Sequence, residues 1–275
     1  MNKESSAILE EQYEFEKESA LRLLNSNRKE RETLYAEIYD EFYSRYPHHR
    51  DAERTESKEL QFKLLKPFLD QSTTFLEIGG GNLSLSKEIS KIAKKVISIE
   101  ASEHEDSLRK DYPNISIHVA NMPPYELEEG SIDLAYSCHF IEHIHPDDAL
   151  EHSAEMNRLL SPTGAYICVT PNSIYGPHDV SRSFDRKPRG LHLKEYTHTD
   201  LKELFIKSGF REVKLIPGIE KSPVEIMTPP NILLEKVINK FPYLLKQISL
   251  KAISQMTFTQ HPFRPMEQIV LIAYK

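Results

Sequence analysis

From residue 73 onward the chain alternates short apolar runs with segments of helical period. TTFLEI (73–78), KVISIE, ISIHVA, IDLAYS and AYICVT are rich in Ile, Val, Leu and Tyr and read as strands. Between them LSLSKEISKIA, SEHEDSLRKDY and PDDALEHSAEMNRLL place apolar residues three or four apart and read as helices. Such alternation predicts an α/β fold, a doubly wound and mostly parallel sheet. The turn SPTG punctuates the approach to AYICVT, and DLKELFIKSGF reads as a helix stopped by Gly209. The strands EVKLI and EQIVLIAY follow, the last expected to run antiparallel.

Three regions break this rhythm. Residues 1–70 read as an N-terminal helical cap, in which Leu34, Ile38 and Phe42 lie beside Tyr35, Tyr39, Tyr43 and Tyr46 on one face and Pro47 ends the pattern. A second helix is expected around SKELQFKLLKPFL. Residues 71–275 form the main domain. Its segment from Pro171 to His198 is far longer than the 2–6 residues typical of such connections, so loop 171–198 is a functional candidate. Residues 217–266 form a Pro-rich insertion with a helical stretch from Asn231 to Ser254. Its sparse lysines favour a lid or a dimer contact over a membrane-surface helix.

Composition mostly excludes. The 275 residues suffice for a sizeable core. With 28% charged residues and no apolar run near the roughly 18 residues of a membrane span, no spanning segment is expected. The beginning MNKESSAILEEQYEFEKE is acidic and polar, unlike a signal or transit peptide, so the expected location is cytoplasmic. Cys138 and Cys168 lie in apolar runs and read as buried thiols. A net charge of −7 argues against nucleic acid as a partner. Glycine is scarce, 9 against 17 prolines, yet Gly79, Gly80 and Gly81 are consecutive, which marks a turn or a closely approaching ligand. The other six glycines read as ordinary punctuation.

That cluster joins the strand FLEI to the helix LSLSKEIS, a geometry that brings backbone N–H groups toward a ligand. Gly79 and Gly81 match the first two positions of the dinucleotide fingerprint, but Ser84 stands at the third. The carboxylate of Glu77 would repel a pyrophosphate and attract an ammonium group, which favours S-adenosylmethionine over NAD. Glu100 ends the next strand, about 20 residues on, where an acid can accept from both ribose hydroxyls.

FLEIGGGNLSLS, VISIEAS, VANMPPYELEEGSIDLAYSCHFIEHI and PDDALEHSAEMNRLLSPTGAYICVTPN, taken in order, resemble the motifs of class I S-adenosylmethionine-dependent methyltransferases, of the branch that includes the quinone-biosynthesis enzymes. The likeness covers about residues 73 to 171 and thins toward 210. It implies a Rossmann-like sheet with S-adenosylmethionine as cofactor. It also implies Glu77, Gly79, Gly80 and Gly81 at the methionine part, Glu100 at the ribose and Ala101 near the adenine. Asn121 stands where the family often has Asp, with a carbonyl able to accept from the adenine amino group, and Met122 offers a neighbouring amide. Ser137 is implied close to the methionine moiety. Leu83 replaces a frequent third glycine.

His139, Glu142 and His143 also spell H-x-x-E-H, an inverted zinc-protease signature. That motif needs a long helix, whereas Pro146 follows three residues later, so no metal is expected and His143 reads as a loop anchor. A hydroxyl acceptor does need a base, however, and histidine suits that task. His178, then His192 and His143, are the candidates for base or acceptor positioning, each equally readable as satisfying loop backbone. The expected reaction is methyl transfer to an oxygen or nitrogen of a small-molecule, sugar or lipid-linked acceptor. The alternatives are a non-catalytic S-adenosylmethionine-binding partner protein or an NAD-dependent oxidoreductase. A homodimer through the 217–266 insertion is possible on this reading.

Overall fold

A computed structural model of the chain describes residues 3–51, 55–101, 111–216 and 268–275. Its strands are β1 (Thr74–Ile78), β2 (Lys95–Glu100), β3 (Ile115–Val119), β4 (Ile132–Cys138), β5 (Leu160–Pro171), β6 (Glu212–Leu215) and β7 (Gln268–Tyr274). They form one sheet in the order β3-β2-β1-β4-β5-β7-β6. β1 to β5 pair in parallel and β7 lies antiparallel to both β5 and β6, as the sequence predicts. β1 and β2 are buried along nearly their whole length, the mark of strands covered on both faces. One apolar cluster, centred on Leu76, Tyr166 and Phe205, fills one face, and another, around Phe75, Tyr136 and Ile167, fills the other.

The strand order reverses between β1 and β4, which opens a crevice at their carboxyl ends, where ligands bind in such sheets. Register places Ile78 beside Ser137, so the glycine turn after β1 and the loop after β4 leave the sheet side by side. The SPTG stretch is no separate turn. β5 runs through it, and the pairing with β4 slips from Ile132↔Leu160 to Leu134↔Ala165, a bulge that spares the chain a break before AYICVT.

The N-terminal region holds helices α1 (Lys3–Asn25), α2 (Arg28–Arg45), α3 (His48–Asp51) and α4 (Thr55–Leu65). Between α1 and α2, Asn27 and Glu30 form a capping box that starts a new helix. The aromatic face of α2 buries Tyr35, Ile38 and Phe42 against Leu23, Tyr46 and Leu191, so its partners are α1 and the long loop. α2 is also pinned to the segment after β4. Arg31 makes a bidentate, buried pair with Asp148 at 2.6 and 2.7 Å, and the Tyr35 hydroxyl accepts from the His145 amide at 2.7 Å. α5 (Ser84–Ile89), α6 (Ala149–Leu159) and α7 (His198–Lys207) pack with the sheet. The helix read at SEHEDSLRKDY lies almost wholly outside the described residues. The helical stretch of the 217–266 insertion, and any dimer contact through it, lie outside them entirely. Among the described residues no helix is long and apolar enough to cross a membrane.

Candidate active site

The glycine turn is built around two carboxylates. Glu77 sits on β1 and is 5% exposed, and Glu100 ends β2 at 6%. Glu100 accepts from the amides of Gly80 at 2.8 Å and Gly81 at 3.1 Å, and from the Ser98 hydroxyl. Glu77 accepts from the hydroxyl of Ser86 in α5. A Cβ on Gly80 would stand 2.9 Å from both carboxylates, so the middle glycine is required by close approach. Gly79 (φ +69°) and Gly81 (φ +63°) supply the left-handed backbone of the turn. Burial pushes the Glu77 carboxyl up to about 7, with the Glu100 charge adding to the rise against the Ser86 hydrogen bond. Burial also raises Glu100, against the hydrogen bonds from Ser98 and the glycine amides. Two buried acids this close suit a cationic ligand and repel a pyrophosphate.

At the far end of the crevice a cleft of about 650 Å³ is lined by Arg28, Lys29, Glu32, Ala120, Asn121 and Met122, among others. The Asn121 amide donates to the Glu32 carbonyl at 3.2 Å, which leaves its own buried carbonyl oxygen without a partner. An amino group in the cleft would satisfy that oxygen. Ala101 is exposed at the end of β2. Ser137 is wholly buried and turns its hydroxyl into the core, 2.6 Å from the Tyr166 hydroxyl.

The three candidate histidines divide. His178 is tied to the loop: its Nε2 lies 2.9 Å from the Asn172 carbonyl, and its amide donates to Glu195 at 2.6 Å. His143 and His192 come together, with ring centroids 4.8 Å apart and edge to face. The His143 Nδ1 lies 2.9 Å from the Leu191 carbonyl and the His192 Nδ1 lies 2.9 Å from Glu195 Oε1. Against them stands Glu142, wholly buried, whose Oε2 accepts from Thr170 at 2.9 Å. Its Oε1 has no aligned hydrogen bond, although His139 Nδ1 approaches to 3.2 Å.

Burial alone would raise Glu142, but His139, His143 and His192 outweigh it and bring the carboxyl down to about 2. Burial, with the like charge of His192, takes His143 down to about 4. Burial pulls His192 the same way, but the Glu195 hydrogen bond and the charges of Glu142, Glu195 and Asp179 prevail and raise it. Tyr39 of α2 lies edge-on to His143 at 6.1 Å. Phe140 links this cluster to the cofactor turn, its ring reaching the space over Gly79.

Sequence reasoning passed over Glu142 as a partner of His192, and it passed over Glu195 altogether. The signal for Glu195 was its place three residues after His192. Three of the glycines read as punctuation prove to be packing positions, among them Gly164, where a Cβ would stand 2.8 Å from the Ile132 carbonyl. A Cβ on Gly176 would overlap Glu195 Oε2, and one on Gly190 would crowd Glu16 and Asp179.

The methyltransferase-domain family matches residues 46–215, more than half of the sequence. The chain belongs to that family. This places the methyltransferase in class I, with S-adenosylmethionine as its cofactor. The match is to the family as a whole and does not single out the quinone-biosynthesis branch. An uncharacterized methyltransferase of Schizosaccharomyces pombe is 27% identical over 164 residues, 57% of this chain and 63% of the relative, so the chain spans under two thirds of that protein's length. In fold, the methyltransferase resembles a 1,6-didemethyltoxoflavin-N1-methyltransferase of Burkholderia thailandensis (TM-score 0.57, 12% identity, 91% of each chain covered). It also resembles an S-adenosylmethionine-dependent methyltransferase of Archaeoglobus fulgidus (TM-score 0.53, 18% identity, 85% of this chain and 99% of that one). The residues fit the cofactor. Its charged amino-acid and sulfonium end suits the buried Glu77, its ribose hydroxyls suit the Glu100 carboxylate at the end of β2, and its adenine amino group suits the orphaned Asn121 oxygen.

Proposed function

We propose that the methyltransferase alkylates a hydroxyl oxygen of a small-molecule acceptor bound between α2, loop 171–198 and the loop after β4. The observation that carries this reading is the pair His143 and His192, each with Nδ1 committed to a fixed acceptor, gathered against the buried Glu142 beside the cofactor turn. An amine need only arrive unprotonated, whereas a hydroxyl must lose a proton as it attacks. A cluster of two oriented imidazoles and a carboxylate suits the second task.

Bound S-adenosylmethionine supplies a methyl group on a sulfonium. The protein's part is alignment within about 3–3.5 Å and removal of the hydroxyl proton. In the balanced step the oxygen gains the carbon, the S–C bond breaks to leave the thioether, and the proton is lost at the cluster. Glu77 faces the cationic end of the cofactor, Glu100 holds its ribose hydroxyls, and Asn121 receives its adenine. Helices 1–70 and loop 171–198 serve as the acceptor cover, with the 217–266 insertion assigned the same role from sequence. Aromatic side chains on α2 and the absence of a basic stripe in the sequence favour a small or lipid-linked molecule over nucleic acid.

The test is turnover to S-adenosylhomocysteine across paired acceptor panels, hydroxylated and amine-bearing. Transfer to hydroxyl acceptors is expected, with a loss of about 10²–10⁴-fold in His192→Ala and unchanged binding of S-adenosylhomocysteine. Transfer to amines alone, or indifference to that substitution, would overturn the oxygen reading.

A further inference from the structure

We infer that Glu142, His143 and His192 bind one divalent transition-metal cation, and that the acceptor's oxygens complete its coordination. The three residues each offer a ligand atom, and these atoms all lie within 4.8 Å of one another. Two imidazoles and one carboxylate are a donor set for first-row divalent ions, and such a set leaves coordination positions open on one side. This is not the zinc-protease arrangement considered from sequence, in which His139 and His143 would share one helical face. His139 instead adopts φ +53°, and the second imidazole comes from His192, supplied by the long loop.

The surroundings of the trio are those of a metal site. Histidines that bind metal donate their other ring nitrogen to a carbonyl or carboxylate. The His143 Nδ1 lies 2.9 Å from the Leu191 carbonyl, and the His192 Nδ1 lies 2.9 Å from Glu195 Oε1. Nε2 is therefore the nitrogen each ring has left. Glu195, with a side chain 1% exposed, is itself fixed by the His178 amide at 2.6 Å. Thr170 holds one oxygen of Glu142 at 2.9 Å, and the other oxygen, wholly buried, has no aligned hydrogen bond and faces only His139 Nδ1, at 3.2 Å. A buried carboxylate oxygen with only a poorly aligned imidazole beside it is under-satisfied, and a cation supplies a better-placed partner. Ligands sharing a cation at about 2.1 Å stand about 3 Å apart, so binding would draw the rings and the carboxylate inward by about an ångström.

This inference deepens the hydroxyl reading of the same site. An open face on the ion favours acceptors with two neighbouring oxygens, such as a diol, a catechol or a hydroxy acid. A hydroxyl bound there gives up its proton to solvent more readily.

The test uses the full chain, stripped with chelator and titrated with Mn²⁺ alone by electron paramagnetic resonance, then with Zn²⁺ in competition. One equivalent of Mn²⁺ should bind, with nitrogen couplings from imidazole, and Zn²⁺ should displace it. Glu142→Gln and His192→Ala should each weaken binding at least tenfold, while His118→Ala on β3 leaves it unchanged. Binding of S-adenosylhomocysteine, followed by calorimetry in every variant, reports that the fold is intact. Absence of bound Mn²⁺ and Zn²⁺ at millimolar concentration, or equal affinity in both site variants, would overturn the site. Methylation of hydroxyl acceptors by metal-free protein would sink the metal and keep the hydroxyl reading. Metal bound at the trio without methylation of any oxygen would do the reverse.

Discussion

At the scale of single residues the cofactor end is governed by close approach and charge. Gly80 has no room for a methyl group, because a Cβ would meet both Glu77 and Glu100 at 2.9 Å. Gly80→Ala is therefore expected to weaken S-adenosylhomocysteine binding tenfold or more in calorimetry, while circular dichroism shows the fold retained. Glu100→Ala should weaken it at least as much, and unchanged affinity would remove Glu100 from the site. Glu77 makes a prediction about pH. Burial lifts its carboxyl from the ordinary 4.5 to about 7 in the cofactor-free protein. A raised folded value means that the folded state holds the proton more tightly than the unfolded chain. This contribution to stability is complete below about pH 4.5 and is lost as pH rises through about 7. A cationic ligand favours the ionised form and reverses the preference. S-adenosylmethionine should thus raise the melting temperature more at pH 8 than at pH 5.5, and Glu77→Gln should flatten that difference. An equal increment at both pH values in the unsubstituted protein would exclude Glu77 as the titrating group.

At the scale of elements, the sheet was legible because each strand is an apolar run with turn residues around it, and its crevice followed from the strand order. TTFLEI predicts β1, and Gly79 to Gly81 mark the turn beside which the structure gathers its two carboxylates. What was not legible depends on contacts across long sequence separations. Nothing near His192 announces Glu142, 50 residues earlier, and nothing in Leu191 announces the aromatic face of α2. The break between α1 and α2 is written locally, in the capping box of Asn27 and Glu30. The join that holds α2 to the site is the Arg31–Asp148 pair, with side chains only 4% and 5% exposed. Removing one partner of such a pair leaves a buried charge and costs about 3–5 kcal/mol. Asp148→Ala should accordingly lower the melting temperature by roughly 6–20 °C at 2–4 °C per kcal/mol. The double variant Arg31→Met, Asp148→Leu should recover much of that loss, since apolar side chains of similar volume replace buried ions at little cost. If the double variant melts no higher than the single one, the pair is not the clamp.

At the scale of the whole molecule the two ends of the crevice come from different parts of the chain, and this sets where selectivity resides. The family match begins at residue 46, so α1 and α2 lie before it, yet α2 lines both the cleft at Asn121 and the histidine cluster. Arg28, Lys29 and Glu32 face the cleft, and one and two turns further along the same helix Tyr35 and Tyr39 reach the loop after β4 and His143. One helix thereby runs from the cleft to the histidine cluster, and on the proposed reading its aromatic residues form a wall over the acceptor. Tyr39 is the residue of that wall that meets the cluster, edge-on to His143 at 6.1 Å and tilted against Tyr43 at 6.2 Å. Burial raises its hydroxyl well above the ordinary range, so it stays protonated and acts as surface rather than as base. Tyr39→Ala should raise the KM for the acceptor severalfold with little change in kcat, because it removes binding area and leaves His143, His192 and Glu142 in place. S-adenosylhomocysteine affinity should be unaltered, since the contacts at Gly80, Glu100 and Asn121 are untouched. A fall in kcat at constant KM would show instead that the ring orients His143, and would move Tyr39 from the acceptor wall to the positioning of the cluster.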